Sequence, residues 1–234
     1  MKIKVVSTWN NNLFKKYAHR FQKTYNWPFE LKVYSEDDDL LDLVPDLKDF
    51  IDRNKGRSYK NFLQDAVRFS YKVYAYTYDI INDTESDFII GIDADSVFYK
   101  PIDEEWVKEN LYREDCMLTY LGRGTQYSEC GFLGFNMKHP ETKNFAKEMK
   151  KMYDRDRVYS LTEWHDSWVW DHVRMLFEKN KDVKNFDIGD GKKSHVQARS
   201  VLGPIYDHTK GKRKEQGFSG ENNHLKGQFS KRRF

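Results

Sequence analysis

Asp93 and Asp95 stand two positions apart after the run Phe88-Ile89-Ile90-Gly91-Ile92. A continuously apolar run of this kind predicts a strand covered on both faces. Side chains alternate along a strand, so both carboxylates are expected on one side of it. Open α/β sheets bind ligands at the carboxyl ends of their strands. Two carboxylates placed there repel each other, and a divalent cation relieves the conflict. Mg2+ or Mn2+ is held well by a few carboxylates together with phosphate oxygens. The alternative is a strand ending in a polar turn whose acids mark the surface, since an Asp-x-Asp triplet alone is a weak signal.

The elements around this pair read as an α/β chain. Ile3-Lys4-Val5-Val6-Ser7-Thr8-Trp9 predicts a strand, ending in the polar Asn10-Asn11-Asn12. Residues 13–25 have helical spacing, with Leu13, Tyr17, Phe21 and Tyr25 on one face, and residues 29–34 alternate as a second strand. Strand, helix, strand is a βαβ opening. The acidic run 36–39 reads as a solvated loop. A long helix is expected over 59–81, with Phe62, Ala66, Phe69, Val73, Tyr76 and Ile80 inward and Asn61, Asp65, Arg68 and Lys72 outward. Further strands are expected over 116–121 and 131–137, separated by a Gly122-Arg123-Gly124-Thr125 loop. Helices follow over 141–153 and 161–179, the second opening on a capping box of Ser160 and Glu163. Residues 185–188 are expected to add a short strand.

Composition narrows the classes. The 234 residues suit one domain with a real core. The net charge of +3 is uneven: residues 210–234 hold eight Lys or Arg against two acids, while the rest of the chain carries 32 against 35. Such a basic end favours phosphate, in a nucleotide, a nucleic acid or an anionic membrane face. Cys116 and Cys130 fit neither a metal spacing nor a disulfide framework, which suits reduced thiols. Lys2 and Lys4 interrupt the first apolar stretch, so no signal peptide is expected there. No apolar run approaches the roughly 20 residues of a membrane helix. The expected location is the cytoplasm. The expected organisation is one domain over 1–210, its donor half about 1–100 and its acceptor half about 101–210, followed by a basic tail over 211–234.

Four segments, in order, carry a resemblance to a known family. Phe88 to Val97, with Asp93-Ala94-Asp95, resembles the DxD strand of GT-A fold glycosyltransferases. Glu129-Cys130-Gly131-Phe132-Leu133-Gly134-Phe135-Asn136 resembles the glycine-containing segment that shapes their sugar and acceptor pocket. Trp164-His165-Asp166 resembles their xED segment, with His in place of Glu. Gly203-Pro204-Ile205-Tyr206-Asp207-His208, with Lys210, Arg213 and Lys214, resembles their C-terminal metal histidine and its phosphate-binding neighbours.

The resemblance implies a GT-A type α/β/α sandwich with a mixed, mainly parallel sheet. It implies a soluble, metal-dependent enzyme that moves a sugar from a nucleoside-diphosphate donor, UDP-linked first and GDP-linked second, to a glycan or other hydroxyl acceptor. Asp95 and His208 would bind Mn2+ or Mg2+ directly, and Asp93 directly or through water. Thr8, Trp9, Arg68, Asp93, Ala94, Asp95, Lys210 and Lys214 would contact the donor. Glu129, Gly131, Trp164 and His165 would contact the sugar or acceptor. Asp166, near a helix start where the dipole favours an ionised carboxylate, would be the base of an inverting displacement; His165 and Glu163 are its rivals. Trp9 or Tyr34 would stack on the base of the nucleotide. Bland alternatives stand beside these: His208 as a surface histidine, the lysines as a solvated run, Arg68 as the partner of Asp65, and Trp9 and Tyr34 as core aromatics.

Two other classes compete. Asp93-Ala94-Asp95-Ser96-Val97 also resembles the nucleophile motif of haloacid-dehalogenase-like phosphatases, with Asp93 attacking phosphorus and Ile188-Gly189-Asp190-Gly191 as a faint late acidic motif. That motif lies nearly a hundred residues in, and no second acid follows just beyond Asp190. A non-catalytic nucleic-acid-binding protein would use the basic tail, but no aromatic-rich strand motif accompanies it.

Overall fold

The computed structural model describes residues 1–57, 61–192 and 195–219. Eight strands are described: β1 (Ile3–Trp9), β2 (Glu30–Ser35), β3 (Phe88–Ile92), β4 (Ser96–Phe98), β5 (Cys116–Arg123), β6 (Gln126–Asn136), β7 (Lys184–Asp187) and β8 (Tyr206–His208). Six form the main sheet in the order β2-β1-β3-β6-β5-β7, and β4 pairs with β8 in a small second sheet. The pairings β1–β2, β1–β3 and β5–β7 are parallel; β3–β6 and β5–β6 are antiparallel. The central sheet is therefore mixed and mainly parallel, as the motifs imply.

Helices are α1 (Asn11–Leu13), α2 (His19–Thr24), α3 (Asp39–Leu43), α4 (Pro45–Asn54), α5 (Ala66–Asn82), α6 (Glu104–Asn110), α7 (Thr142–Asp154), α8 (Asp166–Lys181) and α9 (Val196–Arg199). Period-two alternation in the strands divides the core into two layers. Val6 and Ile89 face a cluster with α4, α5, α7 and α8, including Phe50, Tyr74, Phe145 and Trp170. Val5, Phe88, Ile90 and Ile92 face the opposite cluster, with Phe21, Val107, Val196 and Tyr206. Each fully buried aliphatic or aromatic side chain contributes roughly 1.5–3 kcal/mol. The sheet is thus covered on both faces, which gives the α/β/α layering.

Several local expectations differ from the structure. The run after Ile92 leaves the strand: Asp93 to Asp95 form a turn, closed by Ser96 N–H donating to the Asp93 carbonyl at 3.2 Å. The two carboxylates therefore converge through a turn rather than through strand alternation. The expected helix over 13–25 is broken by a π turn, Phe14–Ala18, between α1 and α2. The long helix starts at Ala66, because Asp65 caps it by accepting the Arg68 N–H at 3.2 Å; residues 59–60 of its expected range lie outside the described residues. Residues 122–125 are not a free loop. β5 runs on through Arg123, and the turn is Gly124-Thr125, with Gly124 at φ +64°, a left-handed value that suits glycine.

The capping box at Ser160 is also absent. Ser160 ends a 3-10 turn and its hydroxyl donates to the Arg157 carbonyl. The chain then runs extended at Leu161, and α8 begins only at Asp166, capped by His165. The acidic run is a turn with Asp37, Asp38 and Asp39 exposed, as a solvated loop would have them, but it is tied down and Glu36 is half-buried. Glu36 accepts from Asn10 and Thr8, Asp37 accepts from Asn11 N–H, and Asp39 opens α3. Among the described residues no helix is long and apolar enough to cross a membrane. Gly211–Lys214 forms a 3-10 turn, and Ser219 N–H donates to Asp207 at 2.5 Å, so this part of the basic segment lies against the body. Residues 220–234 lie outside the described residues.

Candidate active site

The turn after β3 is pinned on two sides. Asp93 N–H donates to the Gly131 carbonyl of β6 at 3.2 Å. The small sheet supplies the other side: β4 pairs antiparallel with β8 in a register that sets Ser96 opposite His208. Thr209 then donates to the Asp95 carbonyl from both N–H (3.0 Å) and Oγ1 (2.6 Å). Two three-residue strands thus bring His208 beside an acidic turn more than a hundred residues away.

The result is a compact ligand set. One atom each from Asp93, Asp95 and His208 lie within 4.8 Å of one another. His208 Nε2 is 3.0 Å from Asp95 Oδ1 and 3.5 Å from Asp93 Oδ2, and Nδ1 is 3.3 Å from Glu129 Oε1. Asp95, Glu129 and His208 are buried; Asp93 keeps a quarter of its side chain exposed. Burial alone would raise the Asp95 carboxyl, but His208 and Lys214 outweigh it and hold it well below the usual range. Burial alone would lower His208, and Asp95 outweighs it, so the imidazole is raised. Two carboxylates and an imidazole form a hard oxygen and nitrogen donor set that suits Mn2+ or Mg2+.

Gly131 is the residue that lets the imidazole sit there. A Cβ on Gly131 would overlap the His208 ring at Nδ1, Cε1 and Cγ. Its backbone is not left-handed, so the requirement is close approach alone. Gly131→Ala is expected to fold but to push the imidazole away from the aspartates. In a thermal-shift titration with Mn2+, the variant should lose most of the stabilisation that the parent gains.

These residues border a cavity of about 900 Å³ at the carboxyl ends of β1 and β3. Of the residues expected from the sequence, Thr8, Arg68, Asp93, Ala94, Asp95, Glu129, Gly131, His165, Asp166, His208, Lys210 and Lys214 line it. Trp9 and Trp164 are not among its lining residues. The Trp9 indole is buried against Phe14 and Phe21. The Trp164 ring packs on Tyr159, and its N–H groups donate to Leu63 and Leu161 carbonyls. Tyr34 is also core, its hydroxyl donating to Asp79 at 2.7 Å. Asp190 pairs with Arg199 and is not among the lining residues either.

Cations neutralise the acids in this state. Lys214 Nζ is 2.8 Å from Asp95 Oδ2, and Lys210 pairs with Glu129. Arg68 is exposed on the rim and has no ion pair among the described residues; Asp65 meets its backbone N–H as a cap and not its guanidinium.

Lys72 is the largest departure from the sequence reading. The sequence places it on the polar face of its helix, opposite the apolar stripe, yet its side chain is only 11% exposed. Nζ lies 2.5 Å from Asp93, 2.7 Å from Asp166 and 2.6 Å from the Cys130 carbonyl. Burial would lower it, but Asp166 and Asp93 outweigh that and hold it well above the usual lysine range. Its reach follows from Gly91, where a Cβ would overlap the Tyr76 ring. Tyr76, one turn after Lys72 on α5, can therefore lie directly on β3. Asp166 is the first residue of α8 and is buried, with Lys72 as its counter-ion.

Glu36 and Tyr17 are further lining residues that sequence reasoning missed. Burial pushes the Glu36 carboxyl up from 4.5 to about 7, against opposing hydrogen bonds from Asn10 and Thr8. An acid raised in the folded state keeps its proton after the unfolded chain has lost its own. Stability should therefore fall as pH rises from 4.5 to 7. Glu36→Gln lacks this slope, so its melting temperature should climb relative to the parent across that window and level off above it.

Neither a protein-family model nor a curated protein sequence matches this chain. Among solved structures, it is similar to a glycosyltransferase involved in the glycosylation of the major capsid of PBCV-1. That match has a TM-score of 0.52 and 10% identity, over 93% of this chain and 98% of that one. It is also similar to the WbbM bifunctional glycosyltransferase in its apo form, with a TM-score of 0.52 and 13% identity, over 99% of this chain and 52% of that longer one. The fold is that of GT-A-like glycosyltransferases.

Proposed function

We propose that this chain is a glycosyltransferase that moves a sugar from a nucleoside-diphosphate donor, UDP-linked before GDP-linked, to an acceptor hydroxyl, with Asp93, Asp95 and His208 holding a divalent cation. One observation carries the reading: in a fold shared with glycosyltransferases, three buried or half-buried ligand atoms meet within 4.8 Å inside the cavity at the strand ends.

The donor set fits the group that the fold implies. A cation bound there supplies Lewis-acid stabilisation of the charge that grows on the leaving diphosphate. The chain's own residues do the rest. Lys210 and Lys214 line the cavity beside these acids and transfer their contacts to diphosphate oxygens, and Arg68 adds a third cation from the rim. Fixed cations in a partly dry cavity stabilise a departing anion more than mobile ones in water do. Glu129, freed from Lys210, accepts sugar hydroxyls. Asp166, held in place by Lys72 at the start of α8, accepts the proton of the acceptor hydroxyl as that oxygen attacks the anomeric carbon. The outcome is single displacement with inversion.

A thermal-shift screen of UDP, GDP and their sugar conjugates, with and without Mn2+, tests this. A ligand at a hundredfold excess over its Kd adds about 2.7 kcal/mol, or roughly 5–10 °C for a chain of this size. A shift that needs nucleotide and metal together supports the reading. No response to any pair in the panel sinks it.

A further inference from the structure

The end of the cavity that holds Asp166 is walled by aromatic rings. Phe62 is 58% exposed, and it alone of the exposed large apolar side chains found among the described residues also lines the cavity. It is not loosely held. Asn61 caps its short 3-10 turn by accepting Leu63 N–H at 2.9 Å, and Trp164 N–H donates to the Leu63 carbonyl at 2.7 Å. That second bond ties the Phe62 turn to the segment that ends in His165 and Asp166. The His165 ring lies 6.5 Å from Phe62 and 4.4 Å from Tyr127, centroid to centroid. Tyr127 is fixed in turn by the Arg123 guanidinium over its ring at 4.5 Å. Its hydroxyl has no hydrogen-bond partner among the described residues.

An exposed ring costs free energy in water, and here it is backed by an ordered turn beside the proposed base. The wall is amphipathic: one open apolar face at Phe62, with a phenol, a guanidinium and carboxylates around it. A lipid tail would leave the phenol, the guanidinium and the carboxylates of this wall without partners. A pyranose has one face of C–H groups and a rim of hydroxyls, and it matches both parts.

We infer that the acceptor is a carbohydrate whose apolar ring face rests on Phe62, with Tyr127 bonding its hydroxyl rim, so that one further hydroxyl points at Asp166. This inference rests on the glycosyl-transfer reading above.

The test uses the full chain with Mn2+ and whichever nucleotide sugar stabilises it, and follows release of the nucleoside diphosphate. Methyl glucosides, galactosides and xylosides, adenosine, a serine-containing peptide and octanol are offered in turn as acceptors. At least one methyl glycoside is expected to accelerate release over the water background. Phe62→Ala should raise its half-saturating concentration about tenfold more than it raises the KM of the donor, and Phe62→Trp should restore it. Slow release to water, with acceleration only by adenosine, the peptide or octanol, overturns the carbohydrate assignment and leaves glycosyl transfer standing. So does equal loss of donor and glycoside affinity in Phe62→Ala. No binding or release with any nucleotide sugar removes both readings.

Discussion

Asp95→Ala should abolish the metal-linked gain in stability and cut sugar transfer by about a thousandfold. Asp95 lies between His208 at 3.0 Å and Lys214 at 2.8 Å, and its carbonyl anchors Thr209. The substitution removes the carboxylate but keeps the backbone contacts that hold β8 against the turn, so the fold should survive. The buried imidazole keeps Asp93 and Glu129 as neighbours. The unliganded variant should thus fold but melt below the parent, because the buried imidazole loses its nearest counter-ion, while its response to Mn2+ with nucleotide disappears. Equal responses in parent and variant would contradict the role given to Asp95.

Lys72→Met should be the most damaging change to stability within the site. It leaves Asp93 and Asp166 facing each other without their shared counter-ion. Breaking a buried ion pair by removing one partner costs about 3–5 kcal/mol. Because Asp93 is a quarter exposed, the low end of that range applies, about 3 kcal/mol by urea unfolding. The same variant should recover proportionally more from Mn2+ with nucleotide than the parent does, because the cation neutralises one of the stranded carboxylates. A variant as stable as the parent would show that the Lys72 bridge has no energetic role.

The central strand and the order of the motifs were legible because both rest on local signals. A run as apolar as 88–92 has few fates besides a doubly covered strand, and acids at its end face the ligand side of an open sheet. His208 had a weak signal in its place between the Val201 to Ile205 stretch and a cluster of cations, and the resemblance strengthened it. The contacts that fix it come from two three-residue strands, too short to leave a period. Lys72 was misread for a general reason. An amphipathic pattern separates polar from apolar faces, but it does not say whether the polar face meets solvent or a cavity. The start of α8 was misplaced because the Ser160 and Glu163 spacing fits a cap, while the Trp164 bond to Leu63 holds that stretch extended. Helices α3 and α4 had a usable signal in Leu40, Val44, Leu47 and Ile51, which step by four, three and four. Glu36 lay within an acidic run, and only its bonds to Thr8 and Asn10 distinguish it from its neighbours.

The most direct measurement is anomalous diffraction at the manganese edge from crystals of this protein grown with MnCl2 and UDP. The account predicts one strong peak in the cavity, in contact with Asp95 and His208 and with the diphosphate of the nucleotide. Ordered nucleotide in the cavity without that peak, or manganese bound only elsewhere, would contradict it.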